Sequence, residues 1–143
     1  MKFKLAGTEK PIIIVKASVN SRGPYDFAVD TGASATVLSK QTAQELGVMN
    51  NPSTLKEGHG CCGPIDLSMT TVESVRVGNV EAKDLTVAIM DLSTISKCIE
   101  IQLAGIIGYN FMKDYRVIID YPNTQICFER RENRARMEQS IVL

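Results

Sequence analysis

Asp30 is the residue in this sequence best placed to do chemistry. It ends the apolar run Phe27-Ala28-Val29, and Thr31-Gly32-Ala33-Ser34 follows at once. A carboxylate there stands where an extended strand breaks into a tight loop. A positioned carboxylate can take a proton when ionised and give one when protonated. Two carboxylates about 3 Å apart can do both, because like charges that close cannot both ionise and one proton is shared. Such a pair titrates as a unit. No other Asp in the chain precedes Thr-Gly or Ser-Gly. If the chemistry at Asp30 needs a partner carboxylate, a second chain must bring it. The plainer reading of Asp30 is a turn or capping acid. Asp91 and Asp120 also end apolar runs but lack Thr-Gly, and both are read as structural turn acids.

Other chemistries fail on inventory. The single His, His59, stands beside Cys61 and Cys62 in the Gly-rich stretch Gly58-His59-Gly60-Cys61-Cys62-Gly63. A Cys-His hydrolase needs the two side chains rigidly oriented, and nothing in that stretch orients them. The cluster lacks the paired spacing of a zinc site, so no metal or other cofactor is expected. Redox control through the two thiols and an exposed loop with incidental thiols both remain open readings. No Gly-Lys-Ser/Thr follows the glycines, so a phosphate-binding loop is excluded. Sixteen basic residues balance sixteen acidic ones. With four Tyr, four Phe, no Trp and no basic-aromatic alternation, nucleic acid is an unsuitable partner.

The elements that must hold Asp30 are mostly strands. Ile12 to Val19 is rich in β-branched residues, Asn20 to Pro24 is a turn by composition, and Tyr25 to Val29 reads as the returning strand. Asp30 to Ser34 is a loop of small residues. Ala35 to Leu38 is extended again. Ser39 caps a helix over Lys40 to Leu46, and Gly47 stops it. Asn50 to Pro64 is rich in Gly, Asn and Pro and reads as exposed. Leu67–Val77 and Val80–Met90 form a hairpin across Gly78-Asn79. Asp91 to Gln102 shows little pattern. Ala104 to Gly108 is an apolar run ending in glycine, and Asn110 to Asp114 suits one helical turn. Arg116–Asp120 and Gln125–Glu129 form a last hairpin. A loose echo links Pro11–Ser39 to Val72–Ser96, since each reads strand, turn, strand, Asp, Ser/Thr-rich loop.

An apolar run into Asp30-Thr31-Gly32-Ala33-Ser34, joined to Ile106-Ile107-Gly108 far downstream in this element order, resembles a retropepsin-like aspartic protease of the single-motif type. The resemblance covers residues 11 to 129. It implies a mostly β fold: a closed acid-protease barrel with one short helix after the Asp loop and a short helical turn after Gly108. It implies a homodimer in which Asp30 of each chain meets at a two-fold axis. Thr31 would then reach across that axis. Gly32 would let backbone approach the carboxylate and bond to it, and Ser34 would place a hydroxyl nearby. Gly108 would pass close behind the Asp loop. The segment Gly58, Gly60, Gly63 falls where the family carries a flap, a mobile hairpin that closes over bound peptide. Ala28, Val37, Ile65 and Ile107 are the expected apolar contacts for substrate side chains.

The expected function is therefore homodimeric endopeptidase cleavage of an extended peptide, by water activated between two aspartates. The alternative is a non-catalytic dimeric module that binds peptide on the same fold. A more distant reading is a redox-sensing interaction domain built on Cys61-Cys62. The length of 143 residues suits one domain, expected over residues 1–129, with a charged tail over 130–143. Neither a long apolar N-terminal region nor a membrane-length run is present, so the cytoplasm is the default expectation.

Overall fold

The computed structural model describes residues 1–48, 54–60 and 63–130, with residues 54–60 and 63–67 described by backbone alone. Ten strands and three short helices follow one another among them. The order is β1 (Lys4–Ala6), β2 (Ile12–Val19), β3 (Arg22–Val29), β4 (Thr36–Ser39), α1 (Lys40–Leu46), β5 (Thr54–Gly60), β6 (Gly63–Val77), β7 (Val80–Met90), α2 (Ser93–Ile99), β8 (Gly105–Ile107), α3 (Tyr109–Met112), β9 (Tyr115–Asp120) and β10 (Gln125–Arg130).

Eight strands form one sheet in the order β1-β2-β3-β8-β4-β7-β6-β5, and β2 also pairs with β6. That extra pairing, Ala17 opposite Val77, closes six strands into a mixed barrel, with β1 and β5 outside the ring. Closure removes edges that would otherwise expose unpaired backbone groups. The expected mostly β, closed retropepsin-like barrel is the observed architecture. The two hairpins of the sequence echo, β2–β3 and β6–β7, are the pair joined by this closure.

Alternation sorts the side chains into two apolar sets. Val15, Val19, Phe27, Leu38, Val72, Val75, Val77, Val87, Ile107 and Phe111 fill one core. Ile14, Ala28, Val37 and Ala88 belong to a second cluster, with Leu92, Ile99 and Leu103. The strand registers put Ile14, Ala28, Ile106, Val37, Ala88 and Met69 in one continuous row across β2, β3, β8, β4, β7 and β6.

Local signals explain most elements. Ser39 caps α1 by accepting the Thr42 N–H at 3.0 Å, and Gly47 ends it in the left-handed region at φ 72°. Three boundaries differ from the sequence reading. The first hairpin turns over Asn20-Ser21 alone, both left-handed at φ 51° and 63°, so Arg22 to Pro24 already belong to β3. Asn20 is held there because its side-chain oxygen accepts the Glu73 and Ser74 N–H groups at 2.8 and 3.2 Å. Within the Gly-rich stretch, where composition alone marked no strand, lies the antiparallel β5–β6 pair, with Gly60 opposite Gly63. The unpatterned Asp91–Gln102 contains α2. No helix among the described residues is long and apolar enough to cross a membrane.

Candidate functional site

β3 runs parallel to β8, with Val29 opposite Ile107, and carries Asp30 just beyond its end. The ladder continues one step further, since the Asp30 N–H donates to the Ile107 carbonyl at 3.1 Å. The chain then folds back tightly. The Ala33 N–H donates to the Asp30 carbonyl at 3.2 Å, and the Gly32 N–H donates to Asp30 Oδ1 at 2.9 Å. That backbone donor fixes the rotamer of the carboxylate. The far side of the turn is fastened as well. The Tyr109 N–H donates to the Ala33 carbonyl at 2.7 Å, and the Asn110 N–H to the Ser34 carbonyl at 3.3 Å. Residues 107 to 110 thus hold both ends of the turn that presents Asp30. Asp30, Thr31, Gly32 and Ser34 are all solvent-exposed.

Gly108 lies directly behind this turn. A Cβ there would stand 2.6 Å from the Ala35 carbonyl carbon and 2.9 Å from the Thr36 nitrogen, closer still to the Ala35 oxygen. Gly105 is crowded in the same manner by the Val37 carbonyl oxygen and the Phe27 ring. At both points β8 and its continuation cross the Asp30–Leu38 segment at backbone contact distance, which only glycine permits.

Residues 15–111 match the model of the aspartyl protease family. The chain belongs to that family. Among solved structures, this chain is similar to a retropepsin-like aspartic protease from Rickettsia conorii. The two share 24% identity with a TM-score of 0.62, over 86% of this chain and 95% of that one. It is also similar to the retroviral protease-like domain of Ddi1 from Leishmania major. That pair shares 19% identity with a TM-score of 0.55, over 82% of this chain and 87% of the other. No match was found among curated proteins.

The fold brings Asp30, Thr31, Gly32, Ser34 and Gly108 together. Ala28 and Val37, both buried, share the row that also holds Ile106. Ile107 does not share it. Its side chain is fully buried in the barrel core, while its neighbour Ile106 packs against the second cluster. A one-residue step along a strand changes face, and the sequence Ile-Ile offers no means of choosing between them. Gly58, Gly60, Gly63 and Ile65 lie on the β5–β6 backbone, with Gly58 opposite Ile65. Cys61 and Cys62 lie outside the described residues, as does the tail from residue 131.

Two site residues escaped the sequence reading. Asn110 Oδ1 accepts from both the N–H and the hydroxyl of Thr36, each at 2.8 Å. Asn110 Nδ2 donates to the Thr86 carbonyl at 2.6 Å. The Thr36 hydroxyl oxygen in turn accepts the Gly108 N–H at 3.2 Å. Thr36 and Asn110 are 74 positions apart, so no local pattern could have linked them.

Proposed function

We propose that this chain is an aspartic endopeptidase that works as a homodimer. The observation that carries the reading is the exposed turn at Asp30. The structure holds one carboxylate rigidly at both ends of its turn, yet leaves it facing solvent. A water-activating aspartate pair needs a second carboxylate at close range. Asp30 is followed by Thr-Gly and is unique in that respect, so its partner is Asp30 of a second copy. An isologous two-fold contact brings identical residues together and is the commonest oligomeric arrangement.

In the cycle, one Asp30 is ionised and takes a proton from water as the water attacks the scissile carbonyl. The other, protonated, donates to the carbonyl oxygen. Collapse of the tetrahedral species expels the amine, which receives a proton from the dyad. No covalent enzyme intermediate forms. Gly32 N–H keeps each carboxylate oriented, and Thr31 and Ser34 meet the partner copy or substrate. Peptide lies extended between the two Asp30 turns and the flaps, with main-chain bonds giving affinity and alternate side chains giving selectivity. The β5–β6 hairpin, with Gly58, Gly60, Gly63 and Ile65, serves as the flap. The peptidase domain spans residues 1–129, followed by the charged segment 130–143.

The test is to purify wild type and Asp30→Asn, confirm that both are dimers by sedimentation, and assay a peptide library from acidic to neutral pH. Cleavage by wild type alone supports the reading. A wild type that stays monomeric and never cleaves rules it out. Equal peptide binding by both dimers without cleavage establishes the non-catalytic module instead.

A further inference from the structure

The carboxamide of Asn110 joins three elements by side-chain hydrogen bonds. It sits on α3, receives two hydrogen bonds from Thr36 at the start of β4, and gives one to Thr86 on β7. Its orientation is forced. The Thr36 N–H is only a donor and the Thr86 carbonyl only an acceptor, so oxygen must face Thr36 and nitrogen must face Thr86. Thr36 is fully buried, and its hydroxyl passes the network on to the Gly108 N–H. Gly108 precedes the two N–H groups that fasten Ala33 and Ser34. One side chain therefore sets where 108–110 stands relative to β4, and 108–110 sets where the Asp30 turn stands.

We propose that Asn110 is a positioning residue that fixes the height and tilt of the Asp30 turn, and through it the separation of the two aspartates in the homodimer. The inference rests on the dyad reading given above. Only an amide meets both demands of the site. Aspartate keeps the acceptor for Thr36 but sets oxygen against the Thr86 carbonyl. Alanine leaves a buried N–H without a partner, which costs stability as well as position. The two effects separate experimentally. A less stable but correctly built site loses amplitude only. A site whose carboxylates have moved apart loses coupling, so its two apparent pKa values converge.

The experiment compares full-length wild type, Asn110→Ala and Asn110→Asp at concentrations where sedimentation reports dimer. It reads kcat, KM, the pH–rate profile, and the carboxyl 13C shift of Asp30 against pH in aspartate-labelled protein. Asp30→Asn assigns the resonance. Both Asn110 variants are expected to lower kcat by roughly a hundredfold and to narrow the gap between the acidic and basic limbs. In the 13C titration, two separated steps in wild type are expected to draw together in the variants. A two-step titration unchanged in both folded variants overturns the positioning role. Ordinary one-step titration in an inactive wild type overturns the dyad itself, a result distinguishable because it appears without any mutation.

Discussion

Gly108 and Ala35 touch through their backbones. A Cβ added at Gly108 would lie 2.6 Å from the Ala35 carbonyl carbon. The Gly108 backbone is extended, at φ −109° and ψ −175°, so the objection to a side chain is space alone. Gly108→Ala must push apart the two segments that hold Asp30. It is expected to destabilise by about 3 kcal/mol or more, the upper end of overpacking costs. Denaturant unfolding measures this directly. A loss under about 1 kcal/mol would show that the segments separate freely.

Asp30→Asn should behave in the opposite way. Asp30 is exposed, and Asn retains an oxygen able to accept the Gly32 N–H. The variant is expected to unfold within about 0.5 kcal/mol of wild type, as surface substitutions do. Peptide cleavage should nonetheless vanish. The two measurements belong together, since activity lost through unfolding would say nothing about chemistry.

The Ser39 side chain accepts the Thr42 N–H at 3.0 Å and bonds to the Thr42 hydroxyl at 2.8 Å. Both residues are buried. Ser39→Ala is expected to cost about 1–2 kcal/mol, at the upper part of the range for capping residues. A thermal scan should show the midpoint lowered by several degrees. An unchanged midpoint would mean that water replaces the cap.

The Asp91 carboxyl is held below its ordinary pKa of 3.8, first by a backbone hydrogen bond from Ser93 and then by that residue's side chain, with smaller help from Lys40 and Lys97. The backbone bond spans 2.9 Å. A depressed carboxylate stabilises the fold above its unfolded pKa, and that contribution is lost as pH falls through the folded value. An NMR titration should place the Asp91 midpoint below 3.8, and Ser93→Ala should move it partly back. A midpoint at or above 3.8 in wild type contradicts the assignment.

What the sequence disclosed about these sites follows the range of the interactions. Asp30, Gly32, Ser39 and Gly47 act within a few residues, and their types announce it. The Asn20-Ser21 turn was half visible, because composition marked the bend but the left-handed pair depends on β6 N–H groups donating to the Asn20 side-chain oxygen. β1 is only three residues long and exists by pairing with Ile12 to Ile14. Leu92, at the α2 N-cap position, makes no side-chain cap bond, and Ile99 is the helix's sole buried residue. The helix forms because Leu92, Ile99 and Leu103 together cover the second apolar cluster, a contact no local window contains. Asn110 is the extreme case. An asparagine after Gly-Tyr has no signature until Thr36 and Thr86 are brought beside it.

Dependence on a second copy gives the sharpest test of the proposed function. If only the dimer cleaves, specific activity must fall on dilution through the dissociation constant, with the rate approaching the square of concentration. Mixing adds a check that dilution lacks. Random assortment of equal wild type and Asp30→Asn yields a quarter wild-type homodimers. If mixed dimers cannot share the proton between two aspartates, activity per wild-type chain falls to about half. A monomeric enzyme would show no such loss, because the variant would be only a bystander. The measurement is the initial rate after subunit exchange at fixed wild-type concentration. Activity that stays constant while native mass spectrometry with an affinity-tagged variant shows mixed dimers would place a complete active site within one chain, and the reading of Asp30 as half a site would have to be given up.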